Sequence, residues 1–174
     1  MRNLPFLFAV GFALAAVPAL AADTTTVSPA EKLGMFAGSW HSEGTVLPGP
    51  KRLRVTGRIT CAWSSTAHVF LVCDGVAVFQ DDPTEHHQLS VYTYDTHSKQ
   101  YGFASLTTNQ VTSPDLALSG NTWTYSQKTT NGGTTMYSRT FNTFESSKLY
   151  RYRVESSADN IHWTLMIEGI SRRL

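Results

Sequence analysis

Between residues 51 and 63 the chain reads KRLRVTGRITCAW, and the apolar side chains of Leu53, Val55, Ile59, Cys61 and Trp63 alternate with Arg52, Arg54, Thr56, Arg58 and Thr60. Successive side chains of an extended chain point to opposite faces, so this period places one face in a core and the other in water. Comparable runs occupy residues 68–73, 77–80, 88–95, 100–107, 122–128, 134–143, 148–155 and 161–170. Turn-forming joints separate them, among them Asn131-Gly132-Gly133, Glu145-Ser146-Ser147 and Ala158-Asp159-Asn160. About nine or ten strands at this spacing predict a mainly β, antiparallel up-and-down meander, which at such length closes into a barrel or splits into two packed sheets. The stretch Asp81-Asp82-Pro83-Thr84-Glu85 reads as a loop between strands.

The alternation starts only after a different kind of segment. Residues 1–21 hold one cation, Arg2, then an apolar run from Leu4 to Val17, then Pro18 and the triplet Ala19, Leu20, Ala21. This is the layout of a secretory signal cleaved near Ala21. The apolar run is shorter than the roughly 20 residues a membrane span needs, and no Cys follows it to carry a lipid. The expected product is residues 22–174, a single β-barrel domain in the periplasm or outside the cell, long enough to bury a core of its own. Lys and Arg number 14 against 13 Asp and Glu, and loss of Arg2 leaves the remainder formally neutral. Such a balance gives no electrostatic argument for nucleic acid or for an anionic membrane as a partner.

One helix is expected, in SPAEKLGMF: Ser28 caps, Pro29 suits the first helical position, and Glu31 completes a capping box. Cys61 and Cys73 are the two cysteines. If the runs around them pair antiparallel about Ala67, Cys61 lies opposite Cys73 and Trp63 opposite Leu71. Directly opposed side chains sit close enough to bridge. An oxidising compartment favours the disulfide, and two buried thiols are the other reading.

Further residues carry a resemblance. LGMFAGSWHSEGTVLPGP, with Gly38 and Trp40 after the short helix, resembles the opening of calycin-type barrels, in which the Trp of a GxW packs across the closed end. Together with VYTYDTHSKQY at 91–101 and IEGISRR at 167–173, the chain is identified as a member of the bacterial family called domain of unknown function 1579, over roughly residues 33–173. The resemblance implies a lipocalin-like barrel, similar to lipocalins and fatty-acid-binding proteins. It implies no particular activity.

Barrels of this size hold a cavity lined by alternate residues of each strand. In residues 135–143 the face with Tyr137, Arg139 and Phe141 is the more apolar, so these three are expected inside, and with Trp40 they are the candidate ligand-binding set. An inward Arg139 needs a partner. The guanidinium fork suits a ligand carboxylate or phosphate, and Glu43, Glu155 or Glu168 would serve equally as an internal ion pair. The pairs Tyr92 and Tyr94, Tyr150 and Tyr152, and Trp123 and Tyr125 each share a face and suit either a pocket wall or ordinary packing. His86 and His87 beside Asp81, Asp82 and Glu85 offer imidazole and carboxylate, without the spacing of a known metal motif, so no metal is expected. His162 is the histidine that would serve a haem, by resemblance to nitrobindin-like haem barrels. No GxSxG is present, so no catalytic residue is assigned.

The resulting expectation is an exported lipocalin-like barrel, without cofactor, that binds a small apolar or amphipathic ligand inside. Two alternatives stand beside it: a haem-binding nitrobindin-like isomerase, and an envelope protein that docks on another protein through its exterior.

Overall fold

A barrel needs every strand paired on both sides, and the alternating runs supply that in the computed structural model, which describes residues 27–174 apart from 48 and 50. The expected leader and its expected cleavage site near Ala21 lie outside the described residues. The strands are β1 (Gly38–Val46), β2 (Leu53–Trp63), β3 (Phe70–Phe79), β4 (Asp82–Asp95), β5 (Gln100–Thr107), β6 (Val111–Thr112), β7 (Asp115–Ser119), β8 (Thr122–Asn131), β9 (Thr134–Ser146), β10 (Leu149–Ser157) and β11 (Thr164–Arg173). Sequential strands pair antiparallel except that β7 pairs β5 instead of β6, and β1 pairs β11, which closes a ring of ten with β6 attached to β5. The expected up-and-down barrel is therefore present, and closure leaves no free sheet edge around most of its girth.

Three local expectations change. Residues 68–73 and 77–80 form one strand, because Gly75 is a close-approach glycine and no turn: a Cβ there would meet Ile59 Cγ1 at 3.2 Å. The expected loop at 81–85 is mostly strand, since β4 begins at Asp82. Its first residues rise past the core and are exposed on both faces, so they show no alternation to read. Short β7 was not expected. It shares one register against β5 with β6, Ser105 facing Thr112 and Tyr101 facing Leu116. The ladder breaks between them at Ser113-Pro114, where Pro brings no N–H.

The hairpin about Ala67 forms in the expected register, with Cys61 opposite Cys73 and Trp63 opposite Leu71, and the two cysteines are disulfide-bonded. One end of the barrel is plugged. Helix α1 (Pro29–Lys32) carries the capping box, Glu31 N–H donating to Ser28 Oγ at 3.2 Å and Ser28 N–H to Glu31 Oε2 at 2.9 Å. A 3-10 turn over Leu33–Met35 then drops Leu33 and Phe36 into the barrel. Phe36 stacks on Tyr92 at 5.1 Å and meets Phe144 and Trp123. Trp40 is buried beneath, and its Nε1–H donates to Phe36 O at 2.8 Å. The Arg173 guanidinium lies 4.7 Å over the Trp40 ring and donates to Met35 O, so the last residues of the chain hold down the first element. Aromatic contact of this kind adds to the burial that already dominates stability.

Candidate functional site

Above the plug the inward positions become small or polar, and the barrel is no longer filled. Register places Ser42, Gly44, Val55, Gly57, Ile59, Gly75 and Ala77 on the inner face of β1 to β3. On β4, β5, β8 and β9 the inner face carries Gln88, Ser90, Tyr92, Phe103, Ser105, Tyr125, Thr140 and Asn142. Two adjoining voids result. One, of about 280 Å³, is bordered by Val55, Gly57, Ile59, Gly75, Ala77, Phe79, Val154 and Ile167, with exposed His86 at its rim. The other, of about 380 Å³, is bordered by Trp40, Gln88, Tyr92, Phe103, Ser105, Tyr125 and Tyr150 and by Thr107, Gln110, Thr112 and Pro114 near the β5–β7 connection. Ile59, Gln88, Thr140, Asn142 and Tyr150 border both, so they are one interior in two parts. Volumes of this order are those of small-molecule sites.

The hydrogen bonding of the larger part is organised. Tyr92 and Tyr125 hydroxyls lie 3.0 Å apart, Asn142 Nδ2 donates to Tyr125 OH at 3.3 Å, and Gln88 Nε2 donates to Ser90 Oγ at 2.8 Å. Burial pushes the phenols of Tyr92, Tyr125 and Tyr150 above the ordinary tyrosine range, and that of Tyr152 up to about 12. Desolvation disfavours the phenolate, so these groups remain neutral donors and acceptors at physiological pH. The wall also opens near the mouth: β8 pairs β7 only as far as Ser126, and Gln127 to Asn131 pair with β9 alone.

Of the candidate ligand-binding residues, Trp40 borders the interior. Tyr137, Arg139 and Phe141 do not: the register that turns Thr140 and Asn142 inward turns these three outward, which corrects the expected face of β9. The physical reason is that the outer face has partners of its own and is only half-exposed. Trp163 lies over the Arg139 guanidinium at 3.8 Å and Phe141 at 5.3 Å, while Arg139 Nε donates to Glu155 Oε2 at 2.6 Å. Arg153 takes the other carboxylate oxygen of Glu155, itself only 7 % exposed, so the buried charge is paired twice. Of the three partners weighed for Arg139, Glu155 is the one it takes, although outside the barrel. Gln88, Thr140 and Asn142 escaped notice because they are polar, and polar residues on a strand read as solvent-facing.

The histidines do not build a prosthetic-group site. His162 sits in the β10–β11 connection with its side chain 87 % exposed and its Nδ1 2.7 Å from Asp159 Oδ2. A haem inside the barrel would find no imidazole beyond the exposed His86, which is engaged with Asp82 at 2.9 Å. The residues therefore do not fit a haem held through His162. Among the described residues no three His, Cys, Asp or Glu side chains cluster to hold a metal ion, and no helix is long and apolar enough to cross a membrane. On the exterior, Leu89, Leu106 and Val111 stand in register on β4, β5 and β6 and are all exposed, forming a short apolar row.

No family model matches this sequence, and no curated protein does. Solved structures do resemble it. Rv2717c from M. tuberculosis superposes with a TM-score of 0.58 at 11 % identity, covering 86 % of this chain and 99 % of that one. The S-type phycobiliprotein lyase CPES from Guillardia theta superposes with a TM-score of 0.54 at 11 % identity, covering 83 % and 91 %. At such identity the likeness is one of fold, and the fold is calycin-like.

Proposed function

We propose that this protein is an exported binding barrel that holds a small apolar or amphipathic molecule in its interior. The observation that carries the reading is the two-part void above an aromatic plug, with phenol, amide and hydroxyl groups converging on one part and aliphatic groups on the other. Pockets that bury small ligands are mostly apolar with a few placed polar groups. Export through a leader cleaved near Ala21, a single domain over residues 22–174, and kinship with the domain of unknown function 1579 family belong to the same reading. The disulfide is compatible with an oxidising compartment, and the calycin-like barrel with that kinship. Native mass spectrometry on protein taken from its host's envelope without refolding tests it: a retained molecule adds mass that collisional activation removes. A protein that carries nothing and takes up no small hydrophobic compound offered to it would end the reading.

The exposed row of Leu89, Leu106 and Val111 favours a second reading, docking on another envelope protein. Cross-linking in the host envelope is then expected to trap a defined adduct that Leu106→Glu removes while the fold is retained. An adduct indifferent to that substitution would dispose of the row as an interface.

A further inference from the structure

We infer that the interior selects an uncharged, two-ended ligand: an apolar part seats in the glycine-floored chamber, and hydroxyl, carbonyl or amide groups meet Tyr92, Tyr125, Gln88 and Asn142. The inference rests on the interior-binding reading and narrows it.

The apolar chamber exists because of which side chains are missing. Gly57 pairs with Ala77, and Gly75 with Ile59, so three consecutive inward positions across β2 and β3 bring almost no volume. Val55, Ile59, Phe79, Val154 and Ile167 make up the apolar wall around them, and the uncharged Ser42 and Tyr152, with the shared Gln88, Thr140, Asn142 and Tyr150, also border it. The second chamber is supplied with polar groups, none of them charged: not one of its bordering residues is Asp, Glu, Lys, Arg or His. In the apolar chamber the basic side chains are Arg58, exposed on the outward face of β2, and His86, exposed at the rim and held by Asp82, and no acidic residue borders it. A carboxylate or ammonium brought inside would lose its hydration and find no counter-charge, a penalty that burial leaves uncompensated. A neutral donor or acceptor finds partners already fixed in place, and such preorganisation is what converts contact into affinity. The arginine best suited to an acidic head, Arg139, is outside and already committed to Glu155.

Two fluorescent probes that differ by one sulfonate test the charge rule, N-phenyl-1-naphthylamine and 8-anilinonaphthalene-1-sulfonate. The neutral probe is expected to brighten and saturate on the protein, with the sulfonate at least tenfold weaker. Ala77→Leu, which fills the apolar chamber, is expected to lose the neutral probe, and Thr140→Leu at the border of both chambers serves if the first variant does not fold. Equal affinity for the two probes, lost together in the filled variant, overturns the charge rule and leaves interior binding standing. No brightening in the wild type, or brightening that survives a folded, filled variant, removes interior binding and this inference with it. The polar end is tested by displacement: 2-naphthol is expected to displace the neutral probe at a several-fold lower concentration than 2-methylnaphthalene. Equal displacement would overturn the polar half of the assignment.

Discussion

The two ends of this barrel are built from the same strands and by opposite rules. At the plugged end, inward positions carry Trp40, Leu71, Trp123, Phe144 and Tyr150, Leu33 and Phe36 are inserted from outside the sheet, and nearly all are excluded from solvent. A few residues further along the same strands, the inward positions are Ser42, Gly57, Gly75, Ala77, Thr140 and Asn142, and a void opens. The difference teaches that a closed sheet fixes only how wide the interior is, while the size of the inward side chains decides whether that width is filled. Stability and the capacity to hold a ligand are thereby divided between the ends, and the division can be attacked from either side.

The sharpest test is a pair of substitutions, one at each end. Trp40→Ala removes one of the two buried indole rings of the plug and its bond to Phe36 O, and leaves Arg173 without the face it covers. Chemical denaturation is expected to show a loss of about 3–5 kcal/mol, the range for large-to-small changes at buried aromatics. Ala77→Leu at the other end adds atoms to existing empty space and is expected to change stability by less than about 1.5 kcal/mol, as volume changes do where the site can absorb them. Similar losses for the two variants would mean that the open half is packed after all.

A smaller effect sits at the boundary between the ends, where the phenols of Tyr92, Tyr125, Tyr150 and Tyr152 meet. Their pKa values in the folded chain are raised by burial. An acid that holds its proton more tightly when folded contributes stability that is complete below its unfolded pKa, near 10, and is lost as pH rises through the folded value. Stability is therefore expected to be insensitive to these groups up to about pH 10 and to decline above it, through the value near 12 for Tyr152. An ultraviolet titration should show part of the seven tyrosines ionising late, together with loss of near-ultraviolet circular dichroism. Reversible ionisation of all seven near pH 10 with the fold intact would show that the boundary is wet.

How far the chain could be read from its sequence differs from strand to strand. Along β2 alternation pointed to the right face, at the plug and beside the void alike: Leu53, Val55, Ile59, Cys61 and Trp63 do turn inward, and the hairpin about Ala67 has the register the cysteines implied. The helix with its capping box was equally legible, because capping depends on four neighbouring residues. On β9 the same rule misled. There the apolar members Tyr137 and Phe141 face out and the polar members Thr140 and Asn142 face in, since the outside holds Arg139 stacked under Trp163 and the inside is a cavity with hydrogen bonds of its own.

The sequence by itself determined that this chain is a sheet with two unlike faces, begun by one capped helix turn and carrying a cysteine pair in facing register. Each of these follows from interactions between residues close in sequence or across one hairpin. Which face of β9 looks inward, that Glu155 and not a ligand takes Arg139, and that two chambers lie between Ile59 and Asn142 were decided only by closure. The reason is that an empty, polar interior and bulk water make the same demand on a side chain, and only the path of the other strands distinguishes them.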